Sequence, residues 1–191
     1  MMIVDNILNK QELLSVYAKM LDRKWYLSRG SLAAGKENKY GMGIINENGH
    51  TFAGYTIKSQ KSGRVLNSED YIYFESLLPK ISDKCYKKYG IKLPTNIFRM
   101  DVVAKQRGAQ IAYHKDHHNP NAYSLIGLLS PEWKQDWGGE FYYQDDIEGT
   151  TNIMHHNPGS FIIIKSNLLH NGVGPKVDTP YWRMIINYVV L

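Results

Sequence analysis

With 191 residues, 43% of them hydrophobic and 21% charged, the chain is long enough to bury one core without covalent staples, and its composition excludes a disordered or fibrous protein. Its one cysteine, Cys85, excludes an internal disulfide and suits a reducing compartment such as the cytoplasm. The net charge of +5 raises the question of an acidic partner, but no apolar run approaches a membrane span and no cationic-then-apolar leader opens the sequence.

Two helical segments are expected first. Asn9-Lys10-Gln11-Glu12 reads as a helix start, with Asn9 as N-cap and Glu12 as its capping-box partner, and Leu13, Tyr17, Met20 and Leu21 then share one face to about Arg23. Glycines interrupt the pattern from Trp25 to Gly63, where Gly43-Ile44-Ile45 and the run 51–57 are candidate strands around a turn at 46–49. Ser68-Glu69-Asp70 opens a second helix that keeps its period to Gly90 and must bend or restart at Pro79. Cys85 falls on its apolar face and reads as a buried structural thiol. Lys80, Lys84, Lys87, Lys88 and Lys92 cluster toward its end; with no recognised nucleic-acid-binding motif, a solvated basic helix end is preferred to a nucleic-acid patch.

After Pro94 the texture changes to short strands separated by turns, expected at 96–105, 109–116, 123–129, 140–144, 151–155, 160–166, 169–173 and 183–191. Helices followed by strands predict a single α+β domain: a helical support over about 1–95 packed on one sheet of a jelly roll over about 96–191. In an extended strand His114 and Asp116 point the same way, offering one imidazole and one carboxylate to a single point. His170 follows a later apolar strand. Two histidines and a carboxylate are the set that holds non-haem iron(II) with coordination positions left open. Of the other histidines, His50, His155 and His156 are expected at the surface, and His117 and His118 in a turn-rich loop.

The ordered set His114-x-Asp116, Leu128 to Glu140 with Trp133, Trp137 and Gly138-Gly139, Pro158-Gly159-Ser160-Phe161, then His170 and Arg183 resembles the iron(II)- and 2-oxoglutarate-dependent dioxygenases, in particular the prolyl 4-hydroxylase-like branch. The resemblance covers about residues 96–191 and implies a cupin-like double-stranded β-helix. It implies His114, Asp116 and His170 as metal ligands and Arg183 as the partner of the far carboxylate of 2-oxoglutarate, a role suited to a bidentate guanidinium. Lys176 is a weaker rival for that role. The tyrosine that often precedes the motif in the family is missing from Val103-Ala104-Lys105-Gln106-Arg107, so Tyr123 stands as a substitute and Asn187, four after Arg183, as a further lining residue of the cosubstrate cavity. His117 and His118 are substrate-side candidates. The implied cofactors are iron(II), 2-oxoglutarate and dioxygen, with ascorbate as an accessory; the implied reaction hydroxylates an unactivated C–H bond of a prolyl residue or free amino acid and releases succinate and carbon dioxide. The rival readings are a non-catalytic cupin-type metal module, which has no use for Arg183, and an oxygenase acting on nucleic acid bases.

Overall fold

The computed structural model describes residues 1–23, 25–27, 52–60, 62–109, 111–144 and 150–191. The expected strand at 43–45, the turn at 46–49, His50 and the acidic run 145–148 lie outside them. Among the described residues three helices form where the sequence places them. The first, α1 (Lys10–Leu21), is closed by the expected capping box: the Asn9 carboxamide oxygen accepts from the Gln11 and Glu12 amides at 2.9 and 3.0 Å, and the Asn9 amide donates to Glu12 Oε2 at 2.7 Å. The second region restarts as anticipated, giving α2 (Ser68–Glu75) and α3 (Leu78–Tyr89). Pro79 occupies the first turn of α3, where its missing N–H costs nothing, and Gly90 ends it in the left-handed region at φ +70°.

Among the described residues ten strands build two antiparallel sheets. The larger runs in the order β1 (Met2–Val4), β8 (Phe161–Lys165), β5 (Tyr123–Leu128), β10 (Arg183–Val190), β4 (Ile97–Lys105), β3 (Phe52–Lys58) and β2 (Tyr26–Leu27); the smaller is β7 (Thr151–Met154), β6 (Phe141–Gln144) and β9 (His170–Gly172). The strands β1 to β3 extend the larger sheet, so the N-terminal half supplies strands as well as helical support. One expected strand fails to form: within 109–116 the described residues pair only at His114, which exchanges backbone hydrogen bonds of 3.0 Å with His170.

Alternation along the central strands separates two cores. Even-numbered positions of β4 and β10, including Met100, Val102, Met184, Ile186 and Tyr188, pack under the helices against Phe74, Leu78, Ile81 and Cys85. Cys85 is fully buried, and burial raises its thiol pKa, which suits the structural role. The opposite face carries Ile126, Leu128, Ile162, Ile164 and Ile185, which meet Phe141 of the smaller sheet between the two sheets. The odd positions of β4 and β10 look into that same interior, so Arg99, Asp101, Val103 and Lys105 line up beside Arg183, Ile185 and Asn187 through the register Arg183↔Lys105 to Val189↔Arg99.

Much of the basic cluster on α3 is used inside the fold. The ammonium groups of Lys80, Lys84 and Lys88, spaced one turn apart, donate to the carbonyls of Ile7, Asp5 and Ile3 at 2.5, 2.8 and 3.1 Å, clasping the N-terminal segment against the helix. The same segment is held at its other end by Gly159, whose carbonyl accepts from the Ile7 and Leu8 amides at 2.9 and 3.3 Å. Gly159 has φ +72°, and a Cβ there would stand 2.2 Å from the Leu8 carbonyl oxygen. Gly159→Ala is therefore expected to destabilise by more than the about 1–2 kcal/mol of the left-handed conformation alone, because backbone must also move; a urea midpoint unchanged from the parent would contradict this. Among the described residues no helix is long and apolar enough to cross a membrane.

Candidate active site

His114 and His170 reach one point because their backbones pair across the gap between the sheets, which brings the ring centroids to 4.5 Å. Each ring is oriented from behind: His114 Nδ1 lies 3.0 Å from the Ala112 carbonyl oxygen and His170 Nδ1 2.8 Å from that of Leu168. Those carbonyls can only accept, so both Nδ1 atoms carry the proton and both Nε2 lone pairs face inward, the arrangement of metal-ligating imidazoles. Asp116 completes the set. Its Oδ1 is 3.8 Å from His114 Nε2 and its Oδ2 3.4 Å from His170 Nε2, and one ligand atom from each residue lies within 4.8 Å of the others. Phe141 stacks on His170 with centroids 5.4 Å apart, giving the site an apolar wall.

The surroundings keep these groups in the protonation states a cation needs. Burial alone would raise the Asp116 carboxyl, but the adjacent Arg99 guanidinium holds it well below the usual carboxylate range. Arg99 Nη2 stands 2.5 Å from Asp116 Oδ1, while Arg99 Nε stands 2.9 Å from Asp101 Oδ2. Ser124 Oγ donates to Asp116 Oδ2 at 2.7 Å, and Asn187 Nδ2 lies 3.4 and 3.5 Å from the two carboxylate oxygens. Burial, then the neighbouring His170, lowers the His114 pKa to about 4, so this ring is neutral and ready to coordinate at neutral pH.

Arg183 faces the same interior from the start of β10 and is 1% exposed. Room for it comes from consecutive glycines with positive φ: a Cβ on Gly139 would stand 2.6 Å from Arg183 Cδ and 2.8 Å from its Nε. Trp133 packs there, its indole N–H donating to the Gly138 carbonyl at 2.8 Å. Among the described residues neither Nε nor Nη1 of Arg183 has a hydrogen-bond partner, although both are buried. A guanidinium so placed is expensive unless something anionic joins it. Burial lowers its pKa to about 10, which leaves it charged.

The remaining sequence candidates divide. Lys176 is engaged by Glu140 at the rim, with 63% of its side chain exposed, so it does not compete with Arg183 for the interior. Asn187 joins the Asp116 carboxylate rather than the Arg183 end. Tyr123 faces the other way, into the helix-side core, with Lys165 Nζ over its ring at 3.9 Å; the expectation that it lines the cosubstrate cavity does not agree with that position. His118 is exposed, whereas His117 packs edge-on against Phe98 at 4.9 Å and accepts from the Asn119 amide. His155 is exposed as expected, but His156 is buried, which corrects its surface assignment. Its Nε2 is 2.9 Å from the Ser160 carbonyl oxygen, and the Pro158-Gly159 turn that suggested exposure is covered by Ile7 and Leu8. Three interior residues were not singled out by the sequence: Arg99, Asp101 and Lys105. Their signal is charge at every second position of an otherwise apolar strand.

His156 and His114 make the ligand-free protein acid-sensitive in a calculable direction. Burial, then the Arg183 charge, lowers the His156 pKa to about 3. A folded pKa below the unfolded value means the unfolded chain binds the extra proton, so the stability is complete above about pH 6.5 and is lost as the pH falls toward the folded values. Each histidine contributes up to about 1.4 kcal/mol per pH unit in that window. His156→Gln is expected to be less stable than the parent at pH 7, with the gap closing toward pH 4; urea titrations showing a constant gap would contradict it.

No protein-family model and no curated protein matches the sequence. Solved structures do match the fold. A 2OG-Fe(II) oxygenase-family oxidoreductase from Burkholderia pseudomallei superposes with TM-score 0.67 at 13% identity, over 98% of this chain and 81% of that one. A prolyl hydroxylase from Trichoplax adhaerens, in complex with a hypoxia-inducible-factor oxygen degradation domain peptide, gives 0.65 at 17% identity over 99% and 82%. HygX from Streptomyces hygroscopicus, with nickel and 2-oxoglutarate bound, gives 0.60 at 8% identity over 98% and 81%. The chain therefore has the double-stranded β-helix fold of the 2OG-Fe(II) oxygenases, prolyl hydroxylases among them, and carries a His-Asp-His cluster within it.

Proposed function

We propose that this protein is an iron(II)- and 2-oxoglutarate-dependent dioxygenase that hydroxylates an unactivated C–H bond. The observation that carries the reading is the pairing of two sites facing one interior: the His114-Asp116-His170 cluster, with Asp116 and His170 buried, and a buried Arg183 guanidinium whose Nε and Nη1 have no partner among the described residues. His114, Asp116 and His170 would hold the iron, and the chemistry of two imidazoles and one carboxylate suits that metal. Bound iron(II) would supply oxygen activation, with 2-oxoglutarate oxidised to succinate and carbon dioxide and one oxygen atom passing to each organic product. Arg183 would take the far carboxylate of the cosubstrate through Nε and Nη1, the two donors left without partners. Phe141, Ile185 and the aliphatic floor of Ile126, Leu128, Ile162 and Ile164 would keep bulk water away from the reacting end.

The substrate class supported best is a prolyl residue of a peptide or a free amino acid. The support is the family resemblance of residues 96–191 together with a fold neighbour that is a prolyl hydroxylase in complex with a peptide. Ser124 and Asn187 position Asp116 from the β5 and β10 sides, and the carbonyls of Ala112 and Leu168 orient the imidazoles. The test is succinate release by the purified protein with iron(II), 2-oxoglutarate and oxygen, alongside a mass-spectrometric screen of amino acids and proline peptides for the gain of one oxygen atom. Metal binding without 2-oxoglutarate binding or succinate under any condition would replace this reading with a non-catalytic metal module.

A further inference from the structure

The mechanism above leaves one buried basic residue without a task. Lys105, the last residue of β4, is 1% exposed and faces the cavity directly across from Arg183 in the β4–β10 register. Its ammonium group donates to the Gly172 carbonyl on β9. That carbonyl is neutral and takes one of three ammonium protons. Among the described residues, neither Lys105 nor Arg183 is in an ion pair with a carboxylate. The nearest acid in the electrostatics of Arg183 is Glu140, whose Oε1 is already held by Lys176.

Burial and the facing guanidinium push the Lys105 pKa well below its usual value, and an anion placed between the two groups would favour the charged form of both. Gly172 locates the gap between them: from the position where its Cβ would stand, Lys105 Nζ is 3.2 Å and Arg183 Nη1 3.9 Å away. The two nitrogens are thus at most about 7 Å apart, both close to a point that glycine leaves open. A single carboxylate with each oxygen about 2.8 Å from its donor spans such a gap.

We infer that Lys105 is a second cosubstrate-binding residue, which together with Arg183 grips the far carboxylate of 2-oxoglutarate over the open backbone of Gly172. This rests on the reading proposed above and extends it, because the two charges come from neighbouring strands and recognise the same group. The pair makes the pocket selective for a 2-oxo diacid over a 2-oxo monoacid of equal length. It also answers the missing tyrosine upstream of the His-x-Asp motif: the neighbourhood that lacks the aromatic donor presents an ammonium donor instead.

The test is calorimetric binding of 2-oxoglutarate and of 2-oxopentanoate, which lacks the far carboxylate, to the iron(II)-loaded protein without oxygen. The parent is expected to prefer 2-oxoglutarate strongly. Lys105→Met should weaken 2-oxoglutarate at least about 10-fold, the loss expected for one charge-assisted hydrogen bond, while leaving 2-oxopentanoate unchanged. The loss in Lys105→Met/Arg183→Met should fall short of the product of the two single losses, since both groups act on one carboxylate. If Lys105→Met does not fold, Lys105→Gln serves in its place. Binding of 2-oxoglutarate within twofold of the parent, or equal losses for both ligands, would overturn the inference and leave Arg183 as the sole far-end contact. A parent that binds neither ligand would remove the dioxygenase reading itself.

Discussion

Asp116→Asn is expected to abolish stoichiometric iron(II) binding and to reduce iron-dependent succinate release to the metal-free background. The substitution keeps the volume and a contact for Ser124, but a neutral amide is a poor ligand and no longer compensates Arg99 at 2.5 Å. Removing one partner of a buried ion pair costs about 3–5 kcal/mol when the other is left uncompensated. Here the penalty is smaller, because Arg99 retains Asp101 and 21% of its side chain is exposed. The variant should therefore fold, so loss of metal can be separated from loss of structure by circular dichroism. His114→Ala tests the same centre without disturbing Arg99. Iron-dependent turnover at the parent rate in either variant would show that the metal sits elsewhere.

Arg183→Met is expected to move stability and ligand affinity in opposite directions. In the ligand-free protein the guanidinium is buried with Nε and Nη1 unpaired, so replacing it with an apolar side chain of similar length removes a desolvation penalty and should raise the melting temperature. The same change removes a charged hydrogen-bonding partner from the far carboxylate. Truncating one side of a buried charge pair costs about 2–5 kcal/mol, an affinity loss of about 30- to 4,000-fold. Calorimetry in the presence and absence of 2-oxoglutarate reads both at once: the parent gains stability from the ligand and the variant does not. Unchanged affinity would assign the far carboxylate to another group. A lower melting temperature would show that Arg183 is structural. The opposition reflects the usual conflict between a strained binding group and the stability of its host.

Seven of the eight expected strands form, each within a residue or two of its expected bounds, because alternation and β-branched content are local properties. The exception, 109–116, shows what local texture omits. Ala109 and Tyr113 resemble strand residues, but the backbone on the way to His114 is turned at Gly108 (φ +72°) and tied by Gly174 to the Ala109 carbonyl. His114 and Asp116 converge with His170 all the same, through one bridge rather than a ladder. The strand β1 was not anticipated because three apolar residues carry no period; only pairing with β8 makes Met2-Ile3-Val4 a strand. The burial of His156 was equally invisible, since the Pro158-Gly159 turn looks exposed until the N-terminal segment lies over it. The odd positions of β4 were readable as charged, but that they meet Arg183 follows from the β4–β10 register, which relates residues some 80 apart in sequence.

The lysine clasp on α3 does more than hold the chain start in place. Strand β1 is the outermost partner of β8, whose Phe161-Ile162-Ile163-Ile164 run is wholly buried. With residues 1–8 peeled away, that run becomes an uncovered, uncharged edge, a template on which a second molecule can add a strand. The three ammonium-to-carbonyl contacts thus help keep that edge covered, and acylation of Lys80, Lys84 and Lys88 is expected to loosen the strand that covers it.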